Sequence, residues 1–191
     1  MSIYQVRNLT QSYKVLEHNP YQRAIEQGDE VLLQRLFNEP VNSRGLKDVW
    51  VEESVEFTSH YDTSTLVPDV SVWASFLVLN QKAYVSLRSA LESDGEFLPI
   101  NIDGEPFHVF NVMSFGQEDM TLTKLEIIDG EEAGLLSLKF DEGSVTDKYV
   151  FKSLQNGCNQ VYCDEKFKQL CIESALRGID FDLDLLDVFD Y

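Results

Sequence analysis

The sequence has three cysteines, three histidines and five prolines, and no apolar run near the length that spans a bilayer. A membrane-crossing helix needs about 20 consecutive apolar residues, so none is expected. The opening Met1-Ser2-Ile3-Tyr4-Gln5-Val6-Arg7 shows no basic segment followed by an apolar one, so a cytoplasmic protein is expected. Cys158, Cys163 and Cys171 are odd in number, and their spacing matches neither a Cys-x-x-Cys redox pair nor a zinc pattern. Reduced, mostly buried thiols are expected, with Cys158, after Asn156-Gly157, the one at the surface. His18, His60 and His108 form no His-x-x-x-His pair, so no ready metal site is present. The glycines are scattered, without a dinucleotide fingerprint, a Walker loop or a Gly-x-Ser-x-Gly elbow. These absences predict no cofactor, no metal and no catalytic residues: a protein that binds rather than an enzyme.

Basic residues are also scarce. There are 15 against 33 acids, a net charge of −18. Residues 1–47 hold five acids and six bases, whereas residues 48–191 hold 28 acids and nine bases. Such a surface repels phosphates and anionic lipids, so neither nucleic acid nor a membrane is expected as a direct partner. A basic protein partner is favoured by complementary potentials, although acidic surfaces also serve solubility alone.

The 43% hydrophobic and 12% aromatic content is that of a packed globule. Ile3–Val6 predicts a strand, and Asp29–Phe37 a helix capped by Asp29 and stopped by Pro40. Val49–Val51 and Val55–Phe57 read as extended, and 60–72 as an irregular connection. Phe76–Leu79 then predicts a buried strand, Asn80 a cap, and Ala83, Tyr84, Leu87, Ala90 and Leu91 a helix face. Phe97–Ile102 and Phe107–Val112 follow as strands joined through Asp103-Gly104, a hairpin turn sequence. A meander is expected over Leu122–Ile128, Leu135–Phe140 and Tyr149–Phe151. The earlier pattern then repeats: strand Gln160–Cys163, cap Asp164, a helix through Phe167, Leu170, Cys171 and Ala175, Gly178 at its end, and strand Ile179–Leu185. The expectation is an α+β fold: two strand–helix–strand units flanking a meander, in a mixed or mostly antiparallel sheet with helices packed on one side. Residues 1–65 read as an N-terminal strand/helix elaboration and 66–191 as the core.

The terminal run Asp180-Phe181-Asp182-Leu183-Asp184-Leu185 places acids at positions 1, 3 and 5 of an EF-hand loop. Leu185 stands where the loop needs glycine and Tyr191 where it needs glutamate, so period-2 alternation explains the run better. On that reading Phe181, Leu183 and Leu185 face the core and Asp180, Asp182 and Asp184 form an acidic rim. Glu131-Glu132 is a turn pair rather than an acid/base dyad. Trp50, Tyr61 and Trp73, in or beside the irregular stretch, are candidate interface anchors, a role aromatics share with core packing.

The segments Trp73-Ala74-Ser75-Phe76-Leu77-Val78-Leu79-Asn80-Gln81-Lys82-Ala83, Phe97-Leu98-Pro99-Ile100 and Phe110-Asn111-Val112, with Val161–Lys168 and Ala175–Phe181, resemble the Imm11 family of bacterial immunity proteins. The resemblance covers roughly residues 70–185. Asn80 and Asp164 stand where the family pattern has a small hydroxyl residue, and both can still cap. The resemblance implies a protein encoded beside a toxin of a polymorphic or type VI secretion system, which neutralises that toxin in a 1:1 complex. An acidic protein would suit a toxin with a basic cleft, such as a nuclease. Asp180, Asp182, Asp184, Trp50, Tyr61, Trp73, Glu131 and Glu132 are the candidate interface residues. Two rival expectations are a small hydrolase that reverses a toxin's modification, resting on His60, His108 and Cys158, and an adaptor or chaperone that loads an effector without inhibiting it.

Overall fold

A computed structural model describes residues 2–186, apart from the side chains of Pro40 and Glu132. In chain order it contains β1 (Ile3–Asn8), β2 (Val15–Leu16), α1 (Gln22–Gln27), α2 (Glu30–Asn42), β3 (Ser54–Val55) and β4 (Phe57–Thr58). There follow β5 (Val70–Trp73), β6 (Phe76–Asn80), α3 (Gln81–Leu91), β7 (Gly95–Ile102) and β8 (Glu105–Val112). The last third holds β9 (Lys124–Ile128), β10 (Glu131–Ser137), α4 (Glu142–Val145), β11 (Val150–Phe151), β12 (Tyr162–Asp164), α5 (Glu165–Glu173) and β13 (Ile179–Asp182). The class is α+β with mixed and antiparallel sheets.

Two principal sheets organise the chain. One has the order β3-β7-β8-β6-β5, antiparallel except for the β3–β7 pair; the other, β11-β12-β1-β13, is antiparallel throughout. The two strand–helix–strand units share one geometry. β6 and β7 run parallel on either side of β8, and β12 and β13 run parallel on either side of β1. In the first unit the middle strand follows through the tight Asp103-Gly104 turn, whose residues take φ of 54° and 85°. In the second unit it comes from the opposite end of the chain, with Ile3 opposite Asp164 and Val6 opposite Phe181. The stretch 1–65, read as an elaboration, therefore supplies an interior strand of the second sheet.

The helices begin as their caps dictate. The Asn80 Oδ1 accepts from the Ala83 N–H and the Asp164 Oδ1 from the Phe167 N–H, both at 2.9 Å. Ala83, Leu87 and Leu91 of α3 and Phe167 and Cys171 of α5 enter one core, shared with Leu77, Leu79, Phe110 and Val112 of one sheet and Tyr4, Val6, Cys163 and Ile179 of the other. Each large apolar side chain buried there contributes about 1.5–3 kcal/mol. Strand alternation sends Phe76, Val78, Leu98, Ile100, Phe107 and Val109 to the opposite face, where Leu16, Leu46 and Phe57 cover them. A third core joins Phe151 and Tyr162 to Leu138, Phe140, Val145 and Leu185.

The sheets are stitched where β1 and β13 approach the edge strand β5. The Asn8 side-chain amide donates to the Val72 carbonyl at 2.8 Å and accepts from the Val72 N–H at 2.7 Å, completing that edge as a neighbouring backbone would. Gly178 lies so close that a Cβ there would stand 2.4 Å from both Pro68 Cβ and the Val70 carbonyl oxygen.

Several local expectations are corrected. α2 continues through Pro40 to Asn42 and ends at Ser43 in the left-handed region, because proline removes one donor while its fixed φ is helical. Residues 49–51 are not a strand: a turn covers 47–49, with the Val49 and Trp50 N–H groups both donating to the Leu46 carbonyl. Val70–Val72, the end of the stretch read as irregular, belongs with Trp73 to strand β5 because it pairs with β6. The meander does not form: β9 and β10 make a separate two-stranded ribbon, Glu142-Gly143 opens α4 under the Asp141 cap, and β11 joins the second sheet. After α5 the left-handed residue next to the Ser174 cap is Ala175, and Gly178, also at positive φ, serves close approach rather than capping.

Candidate functional site

The histidines and Cys158 each face different neighbours. His18 pairs with Glu53 at 2.7 Å, and His60 faces Glu17 at 3.4 Å with its ring edge-on to Tyr61. His108 stacks on Tyr84 at 3.8 Å between centroids, on the sheet face opposite Phe107 and Val109, and burial holds its pKa below the usual value. Cys158, expected at the surface, is buried; desolvation pushes its thiol up, against the pull of the Lys152 ammonium. A consecutive left-handed pair, Gly157 and Cys158, turns this side chain inward.

Sequence reasoning missed the polar cluster beneath α2. Glu39 of α2, Glu96 of β7, Asn111 of β8 and Lys152 after β11 are all buried. The Glu96 Oε1 accepts from the Leu46 N–H and from the Asn111 amide. Desolvation lifts the Glu39 carboxyl to about 7; the Asn111 hydrogen bond opposes this and the Glu96 charge adds to it. Desolvation also pulls the Lys152 ammonium down to about 8, against the acidic pull of Cys158 and Glu39. The cluster ties α2 to the five-stranded sheet through a carboxyl that holds its proton near neutrality. In sequence these residues are scattered from 39 to 152, and nothing local marks them as neighbours.

The structure distributes the candidate interface residues over three places. Trp50 and Trp73 meet at one apolar cleft with His18, Leu36 and Ile100. Trp73 is core: it is buried, tilts against Phe76 and donates from Nε1 to the His18 carbonyl at 2.9 Å. Trp50 is half-buried and donates to the Pro99 carbonyl at 2.7 Å. Tyr61 is exposed in its loop.

The C-terminal run departs from the expected alternation. β13 ends at Asp182, and Leu183, expected in the core, is 65% exposed. The Asp182 Oδ1 accepts from the Asp184 N–H and the Asp184 Oδ1 from the Leu186 N–H, two successive turns that break the strand period. Asp180 and Asp184 are exposed, while Asp182 takes a 2.7 Å ion pair from Arg7 and so is not free rim charge. Tyr191 lies outside the described residues.

Beside this run, Leu183 and Leu185 share an open groove with Glu118, Asp119, Phe140 and Asp141. The groove leads to the β9–β10 ribbon. Glu131 is exposed there, opposite Ile128 in the ladder; the Glu132 side chain lies outside the described residues. Large apolar side chains stand among these acids: Met120, Leu122, Ile127, Ile128 and Leu136 are all more than half exposed. The sequence carried one signal for this. Ile127 and Ile128 are adjacent, and adjacent strand residues point to opposite faces, so a ribbon covered on one side can bury only one of them. Groove and ribbon together form an acidic surface with apolar side chains set into it, chemically suited to docking a basic protein.

Comparison of the chain with protein-family models and with curated protein sequences gives no match. Among the described residues no helix is long and apolar enough to cross a membrane.

Proposed function

We propose that this protein is a cytoplasmic immunity protein that binds a cognate antibacterial toxin and blocks its active site or substrate path. It works by binding and carries out no reaction of its own. The observation that carries the reading is the surface around the groove and ribbon, where exposed apolar side chains stand among carboxylates in a chain of net charge −18. Apolar side chains would supply contact area and the carboxylates would steer a basic toxin into place. The resemblance of residues 70–185 to bacterial immunity proteins supports the same reading, and a nuclease is the toxin class whose substrate cleft this charge fits best.

The test is co-expression with the product of the adjacent reading frame, followed by pull-down and a growth assay. A stable 1:1 complex with restored growth is expected. Binding without rescue would replace immunity by the adaptor role, and rescue by sub-stoichiometric protein without a complex would replace it by enzymatic reversal. Asp180→Asn with Asp184→Asn should slow association at low salt. An unchanged rate would remove these two exposed carboxylates from the interface.

A further inference from the structure

We infer that the β9–β10 ribbon, residues 124–137, is the element that enters the partner, inserting into a cleft lined by lysine and arginine with an apolar floor. This rests on the proposed toxin-binding function and names the part of the chain that performs it.

Four observations carry the inference. First, among the described residues the two strands pair only with each other, and they are joined by the narrow Asp129-Gly130 turn, with φ of 54° and 88°. Leu135 packs the ribbon's base on the third core, and a ribbon of only two strands is marginally stable in water and gains from being enclosed. Second, Ile127 is 56% exposed and Ile128 55%, on opposite faces, with Leu136 at 62%. Apolar surface is therefore presented on both sides, which suits insertion between two walls better than packing on one. Third, residues 117–142 hold eight acids against two lysines, Lys124 and Lys139. Glu126, Asp129 and Glu131 lie on the ribbon itself and would meet the cations of a cleft built for a polyanion. Fourth, the ladder shifts register between Glu132 and Gly134 and again between Leu135 and Ser137. Such irregularities twist a ribbon and discourage addition of a further strand at its edge, so contact falls to the side chains. The acid excess also sets two copies of the ribbon against each other, which disfavours self-association and leaves a basic partner as the occupant.

The experiment uses the full chain and the product of the adjacent reading frame. Ile127→Ser with Ile128→Ser should weaken Kd at least 100-fold, mainly by faster dissociation, with an unchanged circular-dichroism spectrum and urea midpoint. Glu126→Gln, Asp129→Asn and Glu131→Gln together should slow association at least tenfold at low salt and flatten its salt dependence. In the wild-type complex, amides of residues 124–137 should become protected from hydrogen exchange, a readout that needs no variant to fold. Wild-type binding with both variants within threefold and no new protection would overturn the inference and leave the proposed function standing. No wild-type binding would remove the proposed function and this inference together. A dimer of the chain alone, dissolved by the isoleucine substitutions, would make a second copy the occupant and overturn the inference.

Discussion

Replacing Glu39 with glutamine tests the buried cluster under α2 directly. In the folded protein the carboxyl holds its proton up to about pH 7, against an ordinary value of 4.5. Between those values the folded state binds more protons than the unfolded one, so stability falls as pH rises and levels off above 7. A shift of this size corresponds to at most about 3–4 kcal/mol, and solvent relaxation around the helix brings the expected effect nearer about 2 kcal/mol. Glutamine imitates the protonated acid and removes the repulsion of Glu96. The variant should match the wild type within about 0.5 kcal/mol at pH 5 and exceed it by about 2 kcal/mol at pH 8. Urea unfolding at pH 5, 6, 7 and 8 measures this, and groups common to both proteins, Asp94 among them, cancel in the difference. Parallel stability curves over that range would refute the reasoning, because they would mean that Glu39 titrates alike in the folded and unfolded states.

Lys152 works in a separate window. Its pKa lies at about 8 when folded against 10.5 unfolded, so wild-type stability should rise relative to Lys152→Met as pH climbs from 8 to 10, and parallel curves would contradict this. Asn8→Ala removes both hydrogen bonds to Val72 and should cost about 2–3 kcal/mol by urea unfolding; a loss under 0.5 kcal/mol would show that water replaces the amide at the seam. Gly178→Ala forces a methyl against the Val70 carbonyl and Pro68 and should cost more than about 3 kcal/mol, whereas a neutral result would contradict the close approach there. Asp182→Asn should change stability by under about 1 kcal/mol, since its partly exposed ion pair with Arg7 is screened by solvent.

The sequence by itself determined what local physics decides. Asn80 and Asp164 cap the helices they were read to cap, and Asp103-Gly104 turns the hairpin it was read to turn, because a cap or a two-residue turn is settled within a few residues. The apolar faces of α3 and α5 were legible for the same reason, since helical spacing marks a buried stripe whatever lies opposite it. Only the tertiary structure decided which strands pair. β1 lies between β12 and β13, and nothing in Ile3–Asn8 names partners more than 150 residues away. The burial of Cys158 and the exposure of Leu183 followed from backbone turns that set aside the expected alternation. The candidate site was half visible: its acid content stood in the sequence, and Asp180, Asp184 and Glu131 are exposed as expected. Its apolar part showed only in the adjacency of Ile127 and Ile128, because a strand's hydrophobic residues count as core until the fold shows whether another layer covers them. Of the ribbon's apolar residues Leu135 packs against the third core, whereas Ile127, Ile128 and Leu136 are left facing solvent.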